Sequence, residues 1–250
     1  MSVTVSPARD FDREAGQFGD RRYNYDFDAI LRHYMMRAFD PFMPAGRALE
    51  LGCYLGESTE LLAARYEDLT VVEAAPSLVE AARARLGSRI RFILSTFEEL
   101  ETDEVFDAIF LINTLEHLDD PVGVMARIRR WLAPGGRLFV LVPNAQAPSR
   151  QIAVRMGLIT HNAAVTEAER ANGHRNTFSF DTLEHVARSA GLHMVHRGGL
   201  IFKALANYQF DAALRAGIIS EAYVEGCYAL GMRYPELCAS IFLVCERGRG

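Results

Sequence analysis

Ala48-Leu49-Glu50-Leu51-Gly52-Cys53-Tyr54-Leu55-Gly56-Glu57-Ser58 is the stretch on which the reading of the whole chain depends. A short apolar strand carrying one acid runs into a turn with Gly52 and Gly56, and a helix follows from Glu57 to about Tyr66. Glycines adopt backbone conformations closed to other residues, and without a Cβ they let a ligand lie directly against the chain. A nucleotide-like ligand is expected at this turn.

Downstream, strand and helix signals alternate. Leu69 to Glu73 is a second apolar strand, and Pro76 opens the next helix with Glu80 near its start. Glu73 follows the glycine turn by about 20 residues, the spacing at which a second parallel strand delivers a carboxylate to ribose hydroxyls. Arg89 to Thr96 reads as a third strand, and Glu98 and Glu99 after it as an exposed helix start. Ala108 to Ile112 reads as a buried fourth strand, with Asn113 to Asp120 as the loop at its carboxyl end. An amphipathic helix over Val122 to Leu132 is stopped by Ala-Pro-Gly-Gly at Ala133 to Gly136, and Arg137 to Asn144 forms a fifth strand. This alternation is the signature of a doubly wound parallel sheet.

Upstream, apolar residues at Phe27, Ile30, Leu31, Tyr34, Met35 and Ala38 recur at helical spacing, closed by Pro41 and Pro44. Beyond the fifth strand, Ala145 to Thr177 sustains no period, and a connection this long is a functional loop or carries small helices. Asp181 to Gly191 reads as a helix with Asp181 as N-cap, Glu184 three residues on and Gly191 as C-cap. Leu192 to Lys203 and Ala239 to Gly248 read as the last two strands, antiparallel to each other. The 204–238 segment between them reads as helical, either capping the cavity or forming a subunit contact.

The 250 residues, half of them apolar, suffice for one large domain with a substantial core. A net charge of −5 argues against a surface that tracks phosphate backbones, so nucleic acid is not an expected partner. Cys53, Cys227, Cys238 and Cys245 lack paired spacing, no secretory leader or membrane span is read, and a reduced cytoplasmic setting is expected.

Glu50, Gly52, Tyr54 and Gly56 resemble motif I of the class I S-adenosylmethionine (SAM) dependent methyltransferases, an acidic residue followed by Gly-x-Gly-x-Gly, with tyrosine at the middle glycine. Phe106 to Pro121 resembles that family's apolar strand and loop ending Leu-Glu-His-x-x-Asp-Pro, here Leu115, Glu116, His117, Asp119 or Asp120, and Pro121. The likeness covers roughly Arg47 to Gly191. It implies a Rossmann-like α/β fold of seven strands, mostly parallel with an antiparallel last strand, an N-terminal helix and a C-terminal helical insertion at 204–238. The implied organisation is one domain: an arm and lid helix over 1–45, a SAM-binding core over 46–144, a substrate roof over 145–180 and a C-terminal sheet half over 181–250.

The implied cofactor is SAM, with S-adenosylhomocysteine (SAH) as product. By the resemblance, its contacts are Glu50, Gly52, Tyr54, Gly56, Glu73, Ala74, Ser77, Thr96, Phe97, Asn113 and Leu115. Thr96 stands where related enzymes carry an acid that meets the adenine amino group, and Phe97 would lie against the ring. Asn113 and Leu115 would border the methionine half, with His117 facing the substrate. Tyr23 and Tyr25, on the leading segment, together with Arg150, Arg175 and Tyr208, suit a polar or phosphate-bearing acceptor.

Methyl transfer is an in-line displacement at carbon, and a hydroxyl acceptor benefits from a positioned base. Histidine suits that role, with His117 the first candidate and His174 the second. The expected function is O-methylation of a sugar, a nucleotide-linked sugar or another biosynthetic intermediate. N-methylation of an amino-sugar or amine, and a non-catalytic SAM-fold module, remain alternatives, and a homodimer is a candidate assembly. An NAD-dependent oxidoreductase would need Gly-x-Gly-x-x-Gly, and from Gly52 that pattern fails at Tyr54 and Glu57. No metal triad is read, because Glu98, Glu99, Asp119 and Asp120 sit where helix starts favour acids, and activity insensitive to chelators is expected.

Overall fold

A computed structural model of the chain describes residues 9–12 and 25–248. Tyr23 lies outside them. The chain enters the domain through helix α1 (Asp26–Phe39), then alternates β1 (Ala48–Leu51), α2 (Glu57–Arg65), β2 (Leu69–Glu73), α3 (Pro76–Leu86), β3 (Arg91–Leu94) and β4 (Phe106–Ile112). A 3₁₀ turn at Leu115–His117 leads to α4 (Pro121–Trp131), β5 (Leu132–Pro143), α5 (Pro148–Arg155), α6 (Glu167–Ala171) and α7 (Phe180–Ser189). The chain ends through β6 (Leu192–Phe202), α8 (Asn207–Arg215), α9 (Glu221–Arg233) and β7 (Cys238–Arg247).

The seven strands form one sheet in the order β3-β2-β1-β4-β5-β7-β6. β3, β2, β1, β4 and β5 are mutually parallel, and β7 runs antiparallel between β5 and β6. The expected Rossmann-like α/β architecture is therefore present. β1 lies between β2 and β4, so the strand order reverses there, and the crevice at its carboxyl end is where such sheets receive ligands.

Strand alternation divides the core into two layers. Phe110 and Ile112 of β4 face α1, α2 and α3, whereas Ile109 and Leu111 face α4 and α7. Phe39 of α1 is completely buried, its ring 4.9 Å from that of Phe139 and 5.2 Å from that of Phe242. Removing such an aromatic typically costs about 3–5 kcal/mol. That contact fixes α1 across the centre of the sheet.

The 204–238 segment docks on the same layer. Phe210 of α8 packs edge-on against Phe27, with ring centroids 5.1 Å apart, and Tyr228 of α9 packs against Tyr34 at 4.6 Å. The buried Asp211 carboxylate accepts from the amides of Asp26 and Phe27, at 2.9 and 3.0 Å. The N-terminal amides of a helix have no partners within it, so α8 supplies the cap that α1 does not provide for itself.

Four local expectations are corrected. β3 is shorter than Arg89 to Thr96, because this edge strand pairs only with β2 over Arg91–Leu94. Ala133 to Gly136 is drawn into β5, which begins at Leu132 opposite Phe106 and continues after a register shift. Helix α7 is capped by Ser179, whose hydroxyl accepts from Thr182, so Asp181 lies inside the first turn. Glu184 binds Arg188 and Arg197, at 2.8 and 2.9 Å, and Ala190 closes the helix ahead of Gly191.

Candidate active site

A cavity of about 970 Å³ opens at the carboxyl ends of the parallel strands. The turns after β1 and β4, the ends of β2 and β5, the residue after β6 and the start of β7 all contribute to it. At the first turn, Gly52 (φ 81°), Tyr54 (φ 48°) and Gly56 (φ 84°) are left-handed. Tyr54 thus keeps the conformation that a glycine would take at the middle position, at a cost of roughly 1–2 kcal/mol. A Cβ on Gly52 would lie 2.8 Å from the Thr114 hydroxyl, which is within hydrogen-bonding distance of the carbonyls of Leu51 and Ile112. The β1 turn and the β4 loop therefore touch backbone to side chain, and only glycine fits between them.

Glu73 ties this turn to the next one. Its Oε2 accepts from the amide of Cys53 at 3.0 Å, and Oε1 accepts from the amides of Ala74 and Ala75, at 2.8 and 3.0 Å. A carboxylate offers about four lone-pair sites, so one remains for a ligand hydroxyl on the cavity side. Thr96 and Phe97 line the far end, where the Thr96 hydroxyl also accepts from the amide of Glu99 at 3.1 Å. Asn113, left-handed at φ 48°, leads the cavity wall from β4 toward the 3₁₀ turn.

On that turn the rings of His117 and His174 meet edge-on, centroids 4.7 Å apart. The contact is built by the backbone, because the Glu116 carbonyl accepts from the amides of Arg175 and Asn176, at 2.8 and 3.0 Å. The Asn176 side chain donates to the Leu118 carbonyl at 2.7 Å. Burial pushes His117 down to about 3, helped by the neighbouring His174 ring and by the positive charges of Arg9 and Arg175, and opposed by its bond to the Gly173 carbonyl. Burial also lowers His174, with Glu169 opposing. Burial therefore favours the neutral form of both rings, which keeps a lone pair on each. Glu116 is almost completely buried, and burial pushes its carboxyl up to about 8.

The opposite wall was not legible as a site. Lys203 is buried, donates to the Leu205 carbonyl at 2.7 Å and stands 4.5 Å from the centroid of the Phe27 ring. Burial pushes it down to about 8 against the pull of Asp28 and Asp211, and Asp28 is pushed up to about 6 by its own burial. Asp28 and Arg32, one helical turn apart on the otherwise apolar face of α1, are the only trace of this wall that the sequence carries among the described residues.

Of the residues expected at the cofactor, Gly52, Tyr54, Glu73, Ala74, Thr96, Phe97 and Asn113 line the cavity. Glu50, Gly56, Ser77 and Leu115 are not on its wall. Glu50 is fully buried behind the turn beside Thr59, its oxygens without a partner in good geometry among the described residues, and burial pushes it up to about 8. Gly56 caps α2, the Ser77 amide donates to Asp12, and Leu115 is buried in the layer beneath α4 and α7.

His117, His174 and Arg150 also line the cavity, but the Arg150 guanidinium is held by Glu169 and by the carbonyls of Asn162 and Ala164. Tyr25, Arg175 and Tyr208 are not on the wall. Tyr25 precedes α1, Arg175 pairs with Asp119 at 2.6 Å, and Tyr208 is 62% exposed on the outer face of α8.

A reversal in strand order, a glycine-bearing turn beneath it and an acid at the end of the next strand define a Rossmann-like domain that holds an adenosine-type ligand at its carboxyl edge. The chain belongs to the methyltransferase domain family, which it matches over residues 23–197, within the class I SAM-dependent methyltransferases. Its cofactor is SAM. The turn fits that group, since Gly52 and Glu73 both line the cavity and Glu73, with three amides on its two oxygens, retains a lone pair for a ligand hydroxyl.

Among relatives, the chain is 32% identical over 117 residues to the ubiquinone biosynthesis O-methyltransferase of Xylella fastidiosa strain 9a5c, covering 45% of this chain and 48% of that one. It is 36% identical over 108 residues to the trans-aconitate 2-methyltransferase of Methylobacterium radiotolerans, covering 42% and 41%. The chain thus spans about half the length of the curated relatives it matches. The N-methyltransferase NodS of Bradyrhizobium japonicum WM9, solved with SAH, shares the fold with a TM-score of 0.61 at 16% identity, over 96% of this chain and 100% of that one. No helix among the described residues is long and apolar enough to cross a membrane.

Proposed function

We propose that this chain methylates a hydroxyl of a small-molecule acceptor, with a sugar, a nucleotide-linked sugar or a comparable biosynthetic intermediate as the expected substrate class. The observation that carries the reading is the edge-on His117–His174 pair on the wall that continues from Asn113. SAM supplies a methyl on positive sulfur. Gly52, Tyr54, Glu73, Ala74, Thr96, Phe97 and Asn113 hold it, while Glu50, Gly56, Ser77 and Leu115 shape the turns from behind. Holding two reactants in attack geometry is worth about 7–11 kcal/mol in well-oriented systems.

The acceptor hydroxyl is received at the histidine wall, where an imidazole lone pair accepts its hydrogen. His117, so strongly depressed by burial, is the weaker base of the two, and His174 is better placed to take the proton. Lys203 and Arg32, on the α1 side of the same cavity, give the acceptor's polar or anionic end a cationic surface. The O-methyltransferase relative supports an oxygen acceptor, and the N-methyltransferase NodS makes an amine the competing outcome.

The test is SAH release from SAM with panels of hydroxyl, carboxyl and amine acceptors, using wild type, His117→Gln and His174→Gln, with SAM binding measured in parallel. The reading expects hydroxyl acceptors to turn over and the variants to lose on the order of 100 to 10,000 fold with SAM binding intact. Turnover confined to amines, or both variants at full rate, contradicts it.

A further inference from the structure

We propose that Glu116, His117 and His174 form a binding site for one divalent transition-metal ion, of the zinc, cobalt or manganese kind, open to the cavity. One ligand atom from each of the three lies within 4.8 Å of the other two. Metal–nitrogen and metal–oxygen bonds of about 2.0–2.2 Å put neighbouring ligands roughly 3.3 Å apart, so a contraction of about 1.5 Å closes the set.

Three further features favour an ion. Glu116 is 2% exposed, borders the cavity, and its Oε2 finds no hydrogen-bond partner among the described residues. A buried carboxyl oxygen left without a partner is costly, and a cation that displaces its proton would satisfy it. A hydrogen bond between the His117 ring and the Gly173 carbonyl favours a proton on that ring nitrogen and leaves the other as an acceptor. This is the outer bond that metal-binding histidines ordinarily make. Finally, the nearby cations are already engaged: Arg150 with Glu169, Arg175 with Asp119, and Arg9 with the His117 carbonyl.

Two imidazoles and one carboxylate make a donor set suited to borderline ions rather than to calcium or magnesium, which prefer oxygen alone. Three protein ligands leave a coordination position facing the cavity, the arrangement of reactive rather than purely structural sites. The consequence for chemistry rests on the acceptor assignment above. With an ion in place the imidazole lone pairs are occupied, so an acceptor oxygen would coordinate the ion and release its proton to solvent instead of to His174. The chelator insensitivity expected from the sequence would then not hold.

The test is titration of the full chain, stripped with EDTA and dialysed, with cobalt(II) and zinc(II) salts by visible absorption and calorimetry. One equivalent should bind, and Glu116→Gln and His174→Gln should each weaken binding at least tenfold while still binding SAH, which reports the fold. No stoichiometric binding, or equal binding by wild type and both variants, overturns the site. Metal bound with no hydroxyl methylation sustains the ion and removes the acceptor assignment, and hydroxyl methylation without metal binding does the reverse.

Discussion

Replacing Glu73 by Gln separates two roles that this carboxylate combines. In the structure it accepts three backbone amides, one from the β1 turn and two from the β2 turn, at 2.8 to 3.0 Å. A glutamine can keep only one oxygen. Its better orientation preserves the pair from Ala74 and Ala75 and turns the side-chain amide toward the N–H of Cys53, donor against donor. One charge-assisted bond is lost and a buried donor is stranded, for which roughly 2–3 kcal/mol is expected. In a domain of this size that corresponds to a Tm lower by about 4–12 °C. Urea unfolding of the ligand-free protein reads the effect directly, and calorimetry with SAH should show weaker binding of the same variant. Should Glu73→Gln unfold at the wild-type midpoint while SAH affinity drops, the carboxylate is a ligand contact alone and the idea that it positions both turns is wrong.

Gly52→Ala should lose about 1–2 kcal/mol from its left-handed backbone, and more from contact with the Thr114 side chain 2.8 Å away. In the double variant with Thr114→Ala, the loss should fall short of the two single losses combined by on the order of 1 kcal/mol, and strict additivity in urea unfolding would refute the contact. Glu50 predicts an unusual pH dependence. Its carboxyl sits near 8 in the folded chain against an ordinary 4.5, so the folded state holds the proton more tightly than the unfolded one. Its contribution is fully present below about pH 4.5 and is lost as pH rises toward 8. Urea midpoints of wild type and Glu50→Gln should therefore diverge across that window, with the wild type falling faster; parallel curves would place Glu50 in a better-solvated setting.

The sheet was legible because its central strands are buried on both faces and read as largely apolar runs, as in Leu69–Glu73 and Phe106–Ile112. The cofactor side was legible for a related reason. Gly52 is required by its left-handed backbone and by the Thr114 side chain, and Gly52, Glu73 and Asn113 all stand at strand ends on one edge. Local signals failed where two residues compete for one job. Ser179 and Asp181 are both good caps, and the helix starts from the earlier one. Pro134 to Gly136 has the composition of a turn, yet Gly136 is packed against the Phe106 carbonyl and continues the strand.

The acceptor side depended on tertiary contact and left little trace. Glu116 reads as part of a loop pattern until the backbone of Arg175 and Asn176 closes on it and brings His174 against His117. Lys203 reads as a charge at a strand end, whereas the docking of α8 on α1 buries it beside Asp28. Tyr208 had the right residue type and the wrong helix face.

A crystal structure of the chain soaked or grown with SAH measures the central claim most directly. The account predicts the ribose against Glu73, adenine between Thr96 and Phe97, and the sulfur turned toward Asn113 with His117 and His174 beyond it. Density for SAH anywhere else, or a β1 turn filled by the Tyr54 ring with no ligand bound, would contradict it.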